Sequence, residues 1–238
     1  MSKQFRPWVA ALALGAMGPV WASATGLVIS QVYGGGGNTG APYQNDFVEL
    51  RNAGGSALSL SGLSIQYGSS GGDFGAGNAP VSLTNVTLAP GQYYLVQLGA
   101  GAGAGSPLPA PDASGNTAMS SSSGKVALVS GTAALACGAT SNPCSATKLA
   151  LIVDLVGYGT ATFYEGSAAA PTLSNTTAAL RAAAGCTDSN ANGADFSAGA
   201  PTPRNSVTAY TACGGGGGGD EPGLSIPQIQ GKIGRAHV

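Results

Sequence analysis

The sequence predicts an all-β domain of the sandwich or barrel kind, and three observations predict it. Charged residues are 8% of the 238, hydrophobic residues are 43%, and glycine alone supplies 40; a usual charged share is roughly 25%. The apolar residues fall in short runs bounded by Gly, Pro, Asn and Ser, which is the strand signature. No sustained 3.6-residue periodicity follows the first 24 residues, so amphipathic helices are excluded as the main element. Low charge with abundant glycine also suits a disordered polymer, but burying such runs offsets the entropy of ordering them.

The elements follow in order. Leu27–Tyr33 reads as a strand ended by the glycines 34–37, and Asp46–Arg51 as a second, stopped by Asn52-Ala53-Gly54-Gly55. Leu58–Leu60, Leu63–Tyr67 and Val81–Leu88 are shorter candidates around a Gly-rich loop at 68–79. Pro90-Gly91 is a turn signal, and Gln92–Leu98 is the clearest strand in the chain. After a Gly/Ala/Pro loop at 99–115 come Lys125–Val129 and Ala150–Tyr158. The Ala-rich stretch 178–184 suits one helical turn stopped by Gly185, and Ser206–Thr211 is expected to close the sheet.

Residues 1–24 have the layout of a secretory signal peptide: Lys3 and Arg6, an apolar run from Trp8 to Val20, and the small-residue cleavage site Ala22-Ser23-Ala24. The mature chain then starts at Thr25. The apolar run falls short of the ~20 residues a spanning helix needs, and no later segment is long and apolar enough. Export makes the four cysteines disulfide candidates. Three connectivities are possible, and proximity favours Cys137–Cys144 and Cys186–Cys213 over a zinc site, because the spacings are wrong and no His lies nearby.

The domain is expected over 25–213. Residues 214–223 read as a Gly-rich linker, and 224–231 as the start of a further domain. The tail 232–238, Lys-Ile-Gly-Arg-Ala-His-Val, is what the sequencing-adapter string AAG ATC GGA AGA GCA CAC GTC encodes, and is expected to be read-through.

The run from Val28 to Asn38, then Ala41 to Asn52, closely resembles the lamin tail domain family in its bacterial secreted branch. Later landmarks keep the family order: Leu63–Tyr67, Pro90–Val96, Pro111-Asp112, Met119-Ser120, Gly124–Leu128, Val153–Gly159, Glu165-Gly166 and Pro201–Ser206. The resemblance covers roughly 27–212 and implies an immunoglobulin-like β-sandwich. It further implies an N-terminal position in an extracellular nuclease that continues, past a segment resembling Ile226–Gly231, into an endonuclease/exonuclease/phosphatase domain. A fused downstream catalytic domain is therefore expected in the parent protein.

Within the chain itself no catalytic residue is expected. The one histidine, His237, lies in the suspect tail, which removes Ser-His-Asp and Cys-His systems. The carboxylates are dispersed, whereas metal-dependent phosphodiester hydrolysis needs them clustered. Asp46 and Glu49, three apart on a strand, face opposite sides. One ligand-like pattern stands out: Asp188, Asn190, Asn192 and Asp195 form D-x-N-x-N-G-x-D, alternate oxygens with a glycine turn, which suits calcium. The bidentate Glu of an EF-hand is absent, Gly199 standing in its place, and Asx turns explain the pattern without metal. The glycines 34–37 lack the Lys-Ser/Thr of a phosphate loop and read as a turn. Tyr93 and Tyr94 alternate, one inward and one exposed beside Tyr67; Asp154 and Lys125, charges on apolar strands, pair with each other or with loop backbone.

Net charge is −1, and setting aside Lys3, Arg6, Lys232 and Arg235 leaves five scattered basic residues against ten acidic ones. That gives no basic stripe for phosphate. The function expected is a non-catalytic targeting, adhesion or interaction module of a secreted nuclease or phosphoesterase. The alternatives are a free-standing surface-binding or structural protein and a direct nucleic-acid-binding module. The partners in view are a cell surface, an extracellular polymer or DNA.

Overall fold

The computed structural model describes residues 26–214. The signal-peptide and cleavage-site reading (Ala24, Thr25), the linker beyond residue 214, the 224–231 segment and the tail with His237 lie outside the described residues.

Among the described residues twelve strands are formed: β1 Leu27–Tyr33, β2 Asn45–Asn52, β3 Leu58–Ser59, β4 Leu63–Ser69, β5 Val81–Ser82, β6 Thr87–Leu88, β7 Tyr93–Ala100, β8 Ala113–Ser114, β9 Gly124–Ser130, β10 Ile152–Tyr158, β11 Ala178–Arg181 and β12 Phe196–Gly199. One sheet has the order β12-β11-β1-β2-β7-β8, a second β10-β9-β4-β5, and β3 pairs with β6. All pairings are antiparallel except β7 with β8. The two larger sheets pack face to face as a β-sandwich.

The main core lies between them, built from Leu27, Ile29, Val48, Leu50 and Val96 on one side and Ile65, Val126, Leu128 and Val156 on the other. Each sheet is also covered on its outer face. Phe74, Leu135 and Cys137 pack on Ala127, Val129 and Leu155, while Tyr43 and Leu108 pack on Tyr33, Phe47 and Leu95. Strands buried on both faces read as continuous apolar runs rather than alternating ones, which is why β1, β9 and β10 are so apolar. The glycine at 36 is required by a close approach: a Cβ there would lie 2.0 Å from the Asn45 carbonyl carbon.

Several expected elements differ. Val81–Leu88 is two short strands, because between them the Tyr94 hydroxyl takes the Thr84 N–H. The Ala-rich stretch begins as β11, with its helical turn confined to Ala182–Gly185. Ser206–Thr211 forms no strand. Pro201 and Pro203 precede it, and the Ser206 N–H bonds the Asp112 carboxylate instead of a neighbour. The sheet is closed by β11 and β12, and residues 200–213 run over its outer face as an irregular strap. Tyr93 is not exposed: it is buried under the strap, while Tyr94 and Tyr67 are in the core.

Candidate functional site

Two buried centres, each organised by an arginine, collect most of the polar residues singled out in the sequence. The first lies under the strap. Between Ile29 and Gln31 the β1–β2 register shifts, and the extra residue of the bulge turns both Ser30 and Gln31 towards Glu49 on β2. Glu49 is fully buried. Its carboxylate accepts from Ser30 Oγ at 2.5 Å, Gln31 Nε2 at 3.0 Å, and the backbone N, Nε and Nη2 of Arg204 at 2.7, 3.1 and 2.7 Å. The Arg204 guanidinium lies over the Tyr93 ring, 3.8 Å from its centroid, and that of Arg51 sits at 4.8 Å. Arg51 donates to the carbonyls of Ala184 and Thr211 at 2.6 Å each, tying the strap at its far end.

The second centre joins the two sheets. The bulge leaves the Ile29 N–H and C=O facing β10 and β11. Asp154 Oδ2 accepts the N–H at 2.5 Å, and Arg181 Nε donates to the carbonyl at 2.8 Å. Arg181 Nη2 alone donates to both carboxylate oxygens of Asp154, at 2.8 and 3.0 Å. Arg181 Nη1 reaches Asp188 at 2.9 Å and Asp195 at 3.5 Å, and the guanidinium covers the Phe196 ring at 4.5 Å. Complete burial raises the Asp154 carboxyl above the ordinary aspartate value, against the pull of Arg181.

Glu165 completes this group. Burial, then the charges of Asp154 and Asp188, push its pKa up to about 9, so it carries a proton at neutral pH. Its Oε2 accepts from Asn192 Nδ2 at 3.2 Å. The Asn192 side chain also donates to the Leu155 carbonyl at 2.9 Å and accepts the Gly157 N–H at 2.8 Å. A side-chain amide thus imitates a neighbouring strand along the outer edge of β10, which would otherwise lie open.

The four residues of the calcium-like pattern therefore do not converge on one point, although Asp188 and Asp195 both reach Arg181. Asp188 bonds Arg181, and Asn192 caps β10. Asp195 accepts from Ser189 N at 2.9 Å, Ser189 Oγ at 2.6 Å and Ala191 N at 3.3 Å. Asn190 Oδ1 is buried without a protein partner. The carboxylate oxygens that come together, within 4.8 Å of one another, are those of Asp154, Glu165 and Asp188. Only Asp188 belongs to both sets. The signal for Asp154 was a lone charge in the apolar run Ile152–Tyr158; nothing in the Ala-rich stretch around Arg181 marked it as the cation.

Lys125 and Asp154 do not pair. Lys125 donates to the Gly138 carbonyl at 2.7 Å and lies 5.7 Å from the Phe74 ring centroid, and burial lowers its pKa. Asp46 accepts the N–H groups of Gly36 at 2.8 Å and Met119 at 2.7 Å; burial pushes it up to about 6. These carboxylates and cations pin loops to strands. Asp46, Glu49, Asp154, Glu165 and Asp195 are each at most 4% exposed, which leaves them out of reach of a macromolecular substrate.

Disulfides join Cys137 to Cys144 and Cys186 to Cys213, the pairing that proximity favours. Among the described residues no helix is long and apolar enough to cross a membrane. No curated protein matches the chain. The family model described as Lamin Tail Domain matches residues 22–187, a span that holds both sheets up to β11 and the Arg181–Asp154 bridge between them. With the sandwich and this match in agreement, the chain belongs to the lamin tail domain family.

Proposed function

We propose that this lamin tail domain is a non-catalytic targeting or adhesion module, exported from the cell and serving a secreted nuclease or related phosphoesterase. The observation that carries the non-catalytic reading is the commitment of the buried ionisable groups. Glu49 is spent on Arg204, Asp154, Asp188 and Asp195 on Arg181, and Asp46 on backbone N–H groups. A hydrolytic centre needs a base or metal-bound water within reach of substrate. Two disulfides support export to an oxidising compartment.

The nuclease association rests on the order of sequence landmarks, and the gene downstream of Gly231 tests it. A reading frame encoding a phosphoesterase domain supports it; a genuine stop after Val238 sinks it and favours the free-standing surface protein. Direct DNA binding is tested by titrating the chain with duplex DNA at two salt concentrations. Steep weakening with salt would establish phosphate contacts. The expected result is no binding at low salt, because the basic residues are scattered or consumed internally.

Calcium at the 188–195 loop is a second reading, favoured by the buried, unpartnered Asn190 Oδ1 of a residue whose backbone N–H bonds the Asp188 carboxylate. The fit is partial, since Arg181 already neutralises Asp188. A melting temperature unchanged by millimolar calcium rejects it.

A further inference from the structure

The two large sheets end, on one side of the sandwich, in the two-residue strands β5 and β8. Between these edges lies a cleft of about 470 Å3, lined by 77–80 with the strand β5 on one wall and by Ser114 of β8 with 115–117 on the other. Pockets that take small ligands span about 300–1,000 Å3. The cleft floor depends on Gly115, where a Cβ would lie 2.4 Å from Val81 Cγ2.

Its lining is polar and uncharged. Asn78, Ser82, Ser114 and Asn116 carry amides and hydroxyls that make no hydrogen bond to the protein. Asn38, Asn45, Asn52, Asn142, Asn175, Asn192 and Asn205 spend their side chains internally, whereas outside the cleft Asn85 makes no side-chain hydrogen bond and Asn190 Oδ1 has no partner. Thr117 Oγ1 donates to the Ala79 carbonyl at 3.3 Å, holding the two walls together. Four uncommitted groups, each able to donate and accept, therefore converge on one concave surface.

We infer that this cleft binds a neutral polyhydroxylated ligand, one or two glycosyl units of an uncharged extracellular polysaccharide. Amides and hydroxyls match the paired donor and acceptor character of sugar hydroxyls. A phosphate or polyanion would meet no cation here, and an apolar ligand would strand the four polar groups. An extended peptide adding to the sheet needs a longer edge than two residues to build a ladder. The inference rests on the interaction-module reading and names its ligand.

The test is a titration of the isotope-labelled chain with maltohexaose, mannohexaose and chitohexaose, followed by backbone and side-chain amide resonances. The expected result with at least one probe is a saturable shift confined to 77–82 and 114–117. The double variant N78A/N116A should weaken it at least tenfold while leaving the melting temperature unchanged, since neither side chain bonds the protein. No saturable shift there with any probe overturns the inference, as does a shift unaffected by the double variant. Adsorption of the variant to whole cells or to an extracellular polymer extract is measured in parallel. If wild-type and variant adsorb equally, the cleft assignment fails and the module reading stands; if wild-type does not adsorb, the module reading itself fails.

Discussion

At the scale of single residues, the most consequential group is Glu165, because it is a carboxyl surrounded by other carboxyls. Arg181 is the one cation facing it, against Asp154, Asp188 and Asp195. The folded chain holds a proton on Glu165 that the unfolded chain releases near the ordinary glutamate value of roughly 4.3. A raised folded-state pKa means stability is full below that value and is lost as pH rises towards about 9. Asp46, pushed up to about 6, contributes in the same direction but only at lower pH. Asp154 is raised in the same direction and Lys125 is lowered, which acts in the opposite direction, so the share of Glu165 between pH 6 and 9 is read from the difference between wild type and E165Q. Denaturant unfolding across that window should show wild-type stability falling as pH rises. The E165Q variant keeps the shape of the protonated side chain and should show a flatter profile, more stable than wild type at pH 9. Parallel profiles for the two proteins would mean that Glu165 is ionised in the fold.

At the scale of elements, the strap over the six-stranded sheet is held by polar contacts rather than by strand pairing. Glu49 is fully buried, while Arg204 is 22% exposed on its side chain, so removing the arginine leaves a buried carboxylate without its counter-ion. R204M should lose about 3–5 kcal/mol of stability, measured by denaturant unfolding. E49Q/R204M should lose less than R204M alone, because the buried charge goes with its partner. Equal losses would place the stabilisation in Arg204 packing on Tyr93 and not in the charge pair. The strap also marks where the sequence was opaque. β1, β2, β7, β9 and β10 were legible as apolar runs. β11 was not, since Ala178–Arg181 and the alanines after it carry high helix propensity, and only the tie from Arg181 to Ile29 and Asp154 fixes them as strand and bridge. The site was half legible for the same reason. Asp188 and Asp195 announced themselves by spacing, whereas Asp154 and Glu165, 34 and 23 residues before Asp188, join them only through the sandwich.

At the scale of the whole molecule, stability is shared between a core that fills the sandwich and two covalent closures of surface segments. Cys137–Cys144 closes a short loop, with a sequence separation of 7, and Cys186–Cys213 a longer one, with a separation of 27. Loop-closure entropy makes the longer closure worth about 3.5 kcal/mol and the shorter about 2.5 kcal/mol. The two differ further in what they hold. The short loop carries the Gly138 carbonyl that receives Lys125, and Cys137 packs against Leu155 and Phe74 in a small cluster of its own. The long one anchors the end of the strap, next to the Thr211 carbonyl that receives Arg51. Replacing Cys186 and Cys213 by serine should therefore cost more stability than replacing Cys137 and Cys144. Hydrogen exchange should locate the loss: amides of β2 and β7 beneath the strap should exchange faster in the first variant, and amides of β9 and β10 in the second. Equal costs, with exchange rising uniformly over both sheets, would show instead that the sandwich unfolds as one unit and that neither segment opens by itself.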